Sequence, residues 1–95
     1  MKVILGDKLY DTETAELIGR HISADPYSLD GFWEELYRNK NDEFFLIGEG
    51  GPYSKYGKFI DSTWYTGGSL YIVTESEARR WAQYYHTTDE HATLF

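Results

Sequence analysis

The amino-acid sequence predicts an α+β domain: an antiparallel sheet of four to five strands with one C-terminal helix packed on it. Phe32–Arg38 and Glu43–Gly48 are aromatic-rich runs separated by four turn-forming residues, which is the pattern of a β-hairpin. Glu75–Tyr85 carries apolar residues at helical spacing behind a capping motif. The chain has 95 residues, so we expect one domain spanning residues 1–95.

The first part of the chain predicts a second hairpin and a further strand. Lys2–Leu5 and Lys8–Tyr10 flank the turn pair Gly6-Asp7. Glu16–Ile22 is predicted to be a strand, although a short helix through Glu13–Ile18 fits the same residues. Ser23–Gly31 contains Ala-Asp-Pro and Leu-Asp-Gly, and these two turn signals predict a surface loop.

The aromatic hairpin is predicted to lie in the middle of the sheet. Because side chains alternate between the faces of a strand, Trp33, Glu35 and Tyr37 share one face, while Glu34 and Leu36 share the other. Both faces carry large apolar groups. We therefore expect a helix on one face, and aromatic side chains or a partner on the other.

The segment after this hairpin is predicted to be mostly irregular. Gly48–Pro52 should end the strand, Tyr53–Asp61 is expected to be irregular with one helical turn, and Trp64–Gly68 is expected to be a loop. Ser69–Val73 alternates large side chains and predicts another strand.

The predicted helix begins with a capping box. The hydroxyl of Thr74 can accept a hydrogen bond from the amide of Glu77, whose carboxylate can reach back. A stripe of apolar side chains follows at i, i+3, i+4 and i+7, which predicts packing on the sheet. The members of this stripe are Ala78, Trp81, Ala82 and Tyr85. A final turn is predicted within Thr88–Leu94.

The charge balance limits the classes of partner. The chain has 16 Asp and Glu against 9 Lys and Arg, a formal net charge of −7. This excess argues against direct binding of nucleic acid or an anionic membrane. With no cysteine, thiolate metal sites and cysteine nucleophiles are excluded. The start of the chain is too briefly apolar for a signal peptide or membrane span, so we expect a cytoplasmic protein.

No motif predicts catalysis or a cofactor. Glu34 and Glu35 are adjacent on a strand and point to opposite faces, so they cannot act as a carboxylate pair. A Glu on this apolar strand is expected to pair with a cross-strand base such as Arg20 or Lys40. No spacing links His21 to a nucleophile. We therefore expect a protein that is not an enzyme and binds no cofactor.

Two further motifs resemble ligand sites only superficially. The glycine-rich stretch Gly48–Lys58 departs from a phosphate-binding loop in spacing, and Phe59 stands where a hydroxyl would hold magnesium. His86, Asp89, Glu90 and His91 have the chemistry of metal ligands, but a break at Thr87-Thr88 opposes a rigid site. We expect no metal site.

The acidic residues and exposed aromatic residues are the predicted partner-binding groups. Nine Tyr, five Phe and three Trp cannot all be buried in a domain of this size. Residues 1–49 carry a net charge of −6 and residues 50–68 carry +1. Such acids commonly only keep a small domain soluble, but on one face they can imitate a phosphate backbone. The predicted binding residues are Asp11, Glu13, Glu16, Asp25, Asp30, Glu34, Glu35, Tyr53, Lys55, Tyr56, Trp64 and Tyr65.

Three stretches together resemble a family of small acidic proteins carried by phages and other mobile genetic elements of bacteria. They are Leu9–Ile18; Glu35–Arg38 with Phe45–Gly51 and Ser54–Tyr56; and the capped helix Thr74–Trp81. None of these motifs is catalytic. By association, the resemblance implies an inhibitor of host defence, as anti-CRISPR proteins are, or a host-takeover factor.

Two functions are therefore expected. The first is a non-enzymatic inhibitor that binds the basic surface of a bacterial defence protein, such as a CRISPR effector, as a nucleic-acid mimic. The alternative is a small protein–protein interaction module or host-takeover regulator with a neutral target, bound through Trp33, Trp64 and Tyr65.

Overall fold

A computed structural model describes residues 2–25 and 27–85. Within these residues the chain forms eight strands and one helix. They are β1 (Lys2–Leu5), β2 (Lys8–Asp11), β3 (Glu16–Ile22), β4 (Phe32–Arg38), β5 (Phe44–Gly50), β6 (Lys58–Ile60), β7 (Thr63–Tyr65), β8 (Gly67–Val73) and α1 (Glu75–Tyr85). The predicted turn at 88–94 lies outside the described residues.

The central sheet has four antiparallel strands in the order β3-β4-β5-β8, and α1 follows β8. This confirms the predicted α+β class. β1 pairs with β2 and β6 pairs with β7, each forming a separate two-stranded sheet. The predicted strand at Glu16–Ile22 is confirmed as β3, so the alternative helix through Glu13–Ile18 is wrong.

Each face of the central sheet carries its own apolar cluster, so β4 and β5 are covered on both sides as predicted. On one face Tyr10 from β2 packs against Tyr37 and Phe45. On the other face Ala78 from α1 packs against Leu36 and a second aromatic side chain of β5. The first hairpin and the helix therefore enclose the two middle strands.

The turn between β4 and β5 is one residue longer than predicted. Asn39 donates its amide to the carbonyl oxygen of Glu43, and Asp42 adopts a left-handed backbone with φ of 59°. Glu43 therefore belongs to the connection, and β5 begins at Phe44. β5 runs two residues beyond Gly48, because Gly50 pairs with Phe32 on one side and β8 on the other. It ends within Gly48–Pro52, as the sequence predicts.

A third hairpin occupies the segment that the sequence predicts to be irregular. β6 and β7 are joined by Asp61 and Ser62, whose φ values of 48° and 65° are those of a type I′ turn. The predicted loop at Trp64–Gly68 is correspondingly wrong, since β7 and the start of β8 occupy it. The sequence lacks the Asn-Gly or Asp-Gly pair that normally marks this turn.

The capping box of α1 is confirmed. The amide of Thr74 donates to the Glu77 carboxylate across 2.8 Å, and the amide of Glu77 donates to Thr74 Oγ1 across 3.1 Å. These bonds use two of the donors that a helix start leaves without intrahelical partners. In the predicted stripe, Ala78 and Ala82 are buried.

Replacing Thr74 with alanine should lower the free energy of unfolding by about 1 kcal/mol, because the side-chain acceptor for the Glu77 amide is lost. Urea denaturation followed by circular dichroism measures this change. Ser76→Ala in the same helical turn is the control and should be neutral or slightly stabilising, since alanine favours helix. Equal stability of Thr74→Ala and the original chain would contradict a stabilising cap.

Candidate partner-binding site

A buried carboxylate on β4 organises the loop beside the candidate site. Glu34 is 1% exposed. The hydroxyl of Tyr56 donates a hydrogen bond to Oε2 of Glu34, and Lys55 Nζ lies 3.0 Å from the same oxygen. Trp81 Nε1 on α1 donates to the other oxygen across 3.2 Å. A strand, a loop and the helix therefore meet at one carboxylate.

These contacts keep both members of the ion pair charged. Burial alone would raise the pKa of Glu34, but hydrogen bonds from its three donors and the charge of Lys55 outweigh burial and hold the pKa below its usual value. Burial opposes the charge of Lys55, yet the hydrogen bond and charge of Glu34 raise its pKa. Burial and the same carboxylate raise the pKa of the Tyr56 hydroxyl.

The expectation of a cross-strand base is confirmed for Glu35, which pairs with Arg20 on β3. Glu34, on the opposite face, pairs instead with Lys55 from the loop after β5. His21 lies opposite Glu34 on β3 and stacks on Tyr85, with 3.9 Å between ring centroids. Burial lowers the pKa of His21, which favours the neutral form of its ring.

The ring of Tyr56 reaches Glu34 by crossing over β5 at Gly48. A Cβ atom on Gly48 would overlap that ring, so only glycine leaves room for it. The loop is also joined to the preceding one: the amide of Gly51 donates to Gly31 O across 2.9 Å, and the amide of Tyr53 donates to Leu29 O across 2.8 Å. Two adjacent loops thus form one wall.

That wall borders a surface pocket with a volume of about 670 Å³. This volume falls within the range of pockets that hold small ligands or side chains of a partner. The pocket lies on the face of the sheet opposite α1, at the end where β4 begins and β5 ends. Its lining residues are Arg20, Ile22, Tyr27, Ser28, Leu29, Trp33, Glu35, Glu49, Gly50, Gly51, Pro52 and Thr66.

The pocket combines aromatic and acidic groups. Trp33 and Glu49 lie directly opposite each other on β4 and β5. Glu35 forms an ion pair with Arg20 and accepts a hydrogen bond from Tyr37 Oη across 3.0 Å. Burial and that bond raise the pKa of Tyr37 to about 12. Among the described residues, no cation pairs with Glu49, so it supplies the unbalanced charge of the pocket.

Three of the predicted binding residues are buried. Glu34 and Tyr56 are buried and hydrogen-bonded to each other, and Asp11 is 9% exposed. The carboxylate of Asp11 accepts a hydrogen bond from the amide of Glu13 across 3.0 Å, which shapes the link into β3. These three side chains hold the fold together and offer little surface to a partner, so the structure removes them from the predicted binding surface.

The other predicted acids divide between the two ends of the sheet. Glu16 pairs with Arg38 at 2.5 Å, at the end away from the pocket, where Glu13 also lies. Asp25 and Asp30 flank the pocket-lining residues of the β3–β4 loop and are exposed. Unpaired acidic residues therefore lie beside the pocket, but the predicted acidic residues do not form one continuous face.

The predicted aromatic residues gather at the third hairpin, outside the pocket. The ring of Trp64 on β7 lies 5.0 Å from that of Phe59 on β6 and 6.3 Å from that of Tyr53. Tyr65 is half exposed next to it. Every residue of β6 and β7 is exposed, so this hairpin forms a separate aromatic surface.

Sequence reasoning did not identify Tyr27, Glu49 and Pro52 as site residues. The signal that could have found Glu49 is the hairpin register, because it lies opposite Trp33. The four-residue turn predicted from the sequence would pair Trp33 with Gly48. The extra turn residue shifts the register by one, so the sequence did not show that Glu49 lies opposite Trp33.

Within residues 2–25 and 27–85, no group of three or more His, Asp or Glu side chains could hold a metal ion. The histidines and acids at 86–91 lie outside the described residues. The helix in the described part of the chain is too short and polar to cross a membrane. No family model, curated protein or solved structure matches this chain, so the resemblance to proteins of mobile elements stays a prediction.

Replacing Glu34 with glutamine should lower the free energy of unfolding by about 1.5–3 kcal/mol, because the charged acceptor of three donors is lost. Chemical denaturation measures the change. Glu16→Gln is the matched control and removes an ion pair that is half exposed, so its cost should be at most about 1 kcal/mol. Similar losses in both variants would contradict a special role for the buried carboxylate.

The same carboxylate should make the domain sensitive to acid. The pKa of Glu34 is lower in the folded chain than its unfolded value of 4.5, so the unfolded chain binds this proton more tightly. Its stabilising effect is present above pH 4.5 and is lost as the pH falls through the folded pKa. Denaturation midpoints measured from pH 7 to pH 3 should fall less steeply in Glu34→Gln; parallel curves would contradict this assignment.

Proposed function

We propose that this chain is a non-enzymatic binding protein. The pocket end of its sheet binds the basic surface of a partner protein. The single observation that carries the proposal is the pocket of about 670 Å³ in which Trp33 lies opposite the unpaired Glu49. A half-buried aromatic ring beside a carboxylate suits the cationic side chains of a partner.

Among the described residues, unpaired acids lie at both ends of the molecule, but Glu49 lines the pocket and Asp25 and Asp30 adjoin it, whereas Asp7, Glu13 and Asp42 do not. Glu16 and Glu43 at the far end are each paired with a base of the same chain, so their charges are partly balanced. Asp25, Asp30 and Glu49 have no such partner among the described residues. Unbalanced carboxylates steer association with a basic surface and resist an anionic one.

The partner we propose is a bacterial defence protein with a nucleic-acid channel, and CRISPR effectors are the first to test. This choice rests on the resemblance to proteins of phages and other mobile elements, and it implies action in the bacterial cytoplasm. The chain would then occupy the channel in place of nucleic acid. Mimicry would involve the acids at the pocket end, since Glu34 is buried and Glu35 is paired.

A second candidate function is supported by the exposed aromatic hairpin. Phe59 is 60% exposed and Trp64 is 49% exposed, which is a large apolar surface for two short strands. A protein interaction module with a neutral target would use this surface. Its complex would be nearly independent of salt, whereas a complex made through the acids would weaken as salt rises.

The proposed function predicts a loss of affinity when the pocket-end acids are neutralised. The combined variant Asp25→Asn, Asp30→Asn and Glu49→Gln should weaken the complex with a purified CRISPR effector by tenfold or more, because desolvated charge pairs are lost. Calorimetry at two salt concentrations measures this loss of affinity. Competition with target DNA shows whether the chain and the DNA exclude each other from the guide-bound effector.

The matched control neutralises three acids at the other end of the sheet: Asp7→Asn, Glu13→Gln and Asp42→Asn. Both variants raise the formal net charge by three, so a general charge effect would weaken both complexes equally and contradict the proposal. Channel mimicry is wrong if a tight complex forms while DNA binding and cleavage proceed normally. A salt-independent complex lost in Trp64→Ala would support the second candidate.

A further inference from the structure

The pocket has a detailed chemistry that goes beyond a general preference for basic surfaces. Trp33 and Glu49 are cross-strand neighbours on the same face of β4 and β5. Side chains directly opposite each other in an antiparallel pair have Cβ atoms about 4.5–5.5 Å apart. An indole ring and a carboxylate therefore stand side by side, and both line the pocket.

This pairing matches one cationic group best. A guanidinium is planar, stacks on aromatic rings and presents a fork of N–H donors to a carboxylate, whereas an ammonium is a compact and strongly hydrated charge. With its flat face against Trp33, a guanidinium would direct its edge towards Glu49. Arginine is accordingly favoured over lysine.

Arg20 is the cationic side chain that already lines the pocket, and its charge is balanced by a neighbour. Arg20 lies opposite Glu35 on β3 and β4, and its guanidinium forms an ion pair with that carboxylate. Nε of Arg20 also donates to Glu35 Oε2 across 2.7 Å. Arg20 is therefore occupied by a neighbour, and the net charge of the lining residues is −1, contributed by Glu49.

The rest of the pocket suits the residues flanking such a side chain. Tyr27 is 96% exposed and Leu29 is 61% exposed, and both lie with Pro52 in the wall formed by the two joined loops. These apolar groups can cover the stem of an arginine and its neighbours. The volume of about 670 Å³ exceeds the needs of a single side chain, which fits a short peptide segment.

We infer that the pocket is a recognition site for an arginine side chain of a partner protein, held by stacking on Trp33 and by an ion pair with Glu49. This inference rests on the proposed function and specifies the residue that the partner presents. A nucleobase could also stack on Trp33, but its phosphate would be repelled by Glu49 and by Asp25 and Asp30 in the adjoining loop.

The test uses a capped Gly-Arg-Gly tripeptide and nuclear magnetic resonance of the labelled chain. We expect saturable shifts of the Trp33 indole N–H and of the amides of Glu49 and Gly50. A capped Gly-citrulline-Gly peptide, which keeps the shape and removes the charge, should give no saturable shifts. The lysine tripeptide should bind at least threefold more weakly, because its ammonium cannot match the fork geometry.

Glu49→Gln should weaken binding of the arginine tripeptide by about fivefold to tenfold, since a charge-assisted contact is lost. Glu49 is exposed, so this substitution leaves the fold intact. Glu13→Gln removes the same charge at the other end of the sheet and should change affinity by less than twofold. The inference is overturned if both variants bind alike, if citrulline matches arginine, or if a thymidine oligonucleotide shifts the same resonances.

Failure of this inference and failure of the proposed function give different results. If the tripeptide leaves the pocket resonances unchanged but the triple pocket-end variant still loses the partner protein, the proposed function stands and arginine recognition is wrong. If the tripeptide binds the pocket but that triple variant retains the partner, the arginine site stands and the proposed function is wrong.

Discussion

The architecture depends on a single buried carboxylate. Burying an unpaired charge costs several kcal/mol, so Glu34 is tolerated only because Lys55, Tyr56 and Trp81 all reach it. Those donors come from a loop and a helix that are remote in sequence from β4. Satisfying one charge thus fixes the loop after β5 against the sheet, and that loop forms a wall of the pocket on the opposite face.

The regular elements could be predicted because their signals are local. The period-2 alternation in Phe32–Arg38 and the capping box at Thr74 depend only on neighbours a few residues away, and both are confirmed. The hairpin formed by β6 and β7 could not be predicted in this way. Its turn, Asp61-Ser62, has a left-handed backbone without the usual glycine, so the sequence carries no signal for this type of turn.

The candidate site was predicted only in part, for a physical reason. Composition correctly indicated exposed acid and exposed aromatic residues, and Asp25, Asp30 and Trp64 are exposed as expected. Composition cannot show which carboxylates are paired internally. That depends on strand register, and one extra residue before Phe44 changes which side chain lies opposite Trp33.

The contacts of Glu34 also have a consequence for the order of folding. Its three donors, Lys55, Tyr56 and Trp81, lie 21, 22 and 47 residues further along the chain, so the carboxylate is enclosed only by non-local contacts. Until the segment containing Trp81 has left the ribosome, water must solvate part of this carboxylate. The strands of the sheet can begin to pair during synthesis, but the contacts that join β4, the loop after β5 and α1 at Glu34 must form late.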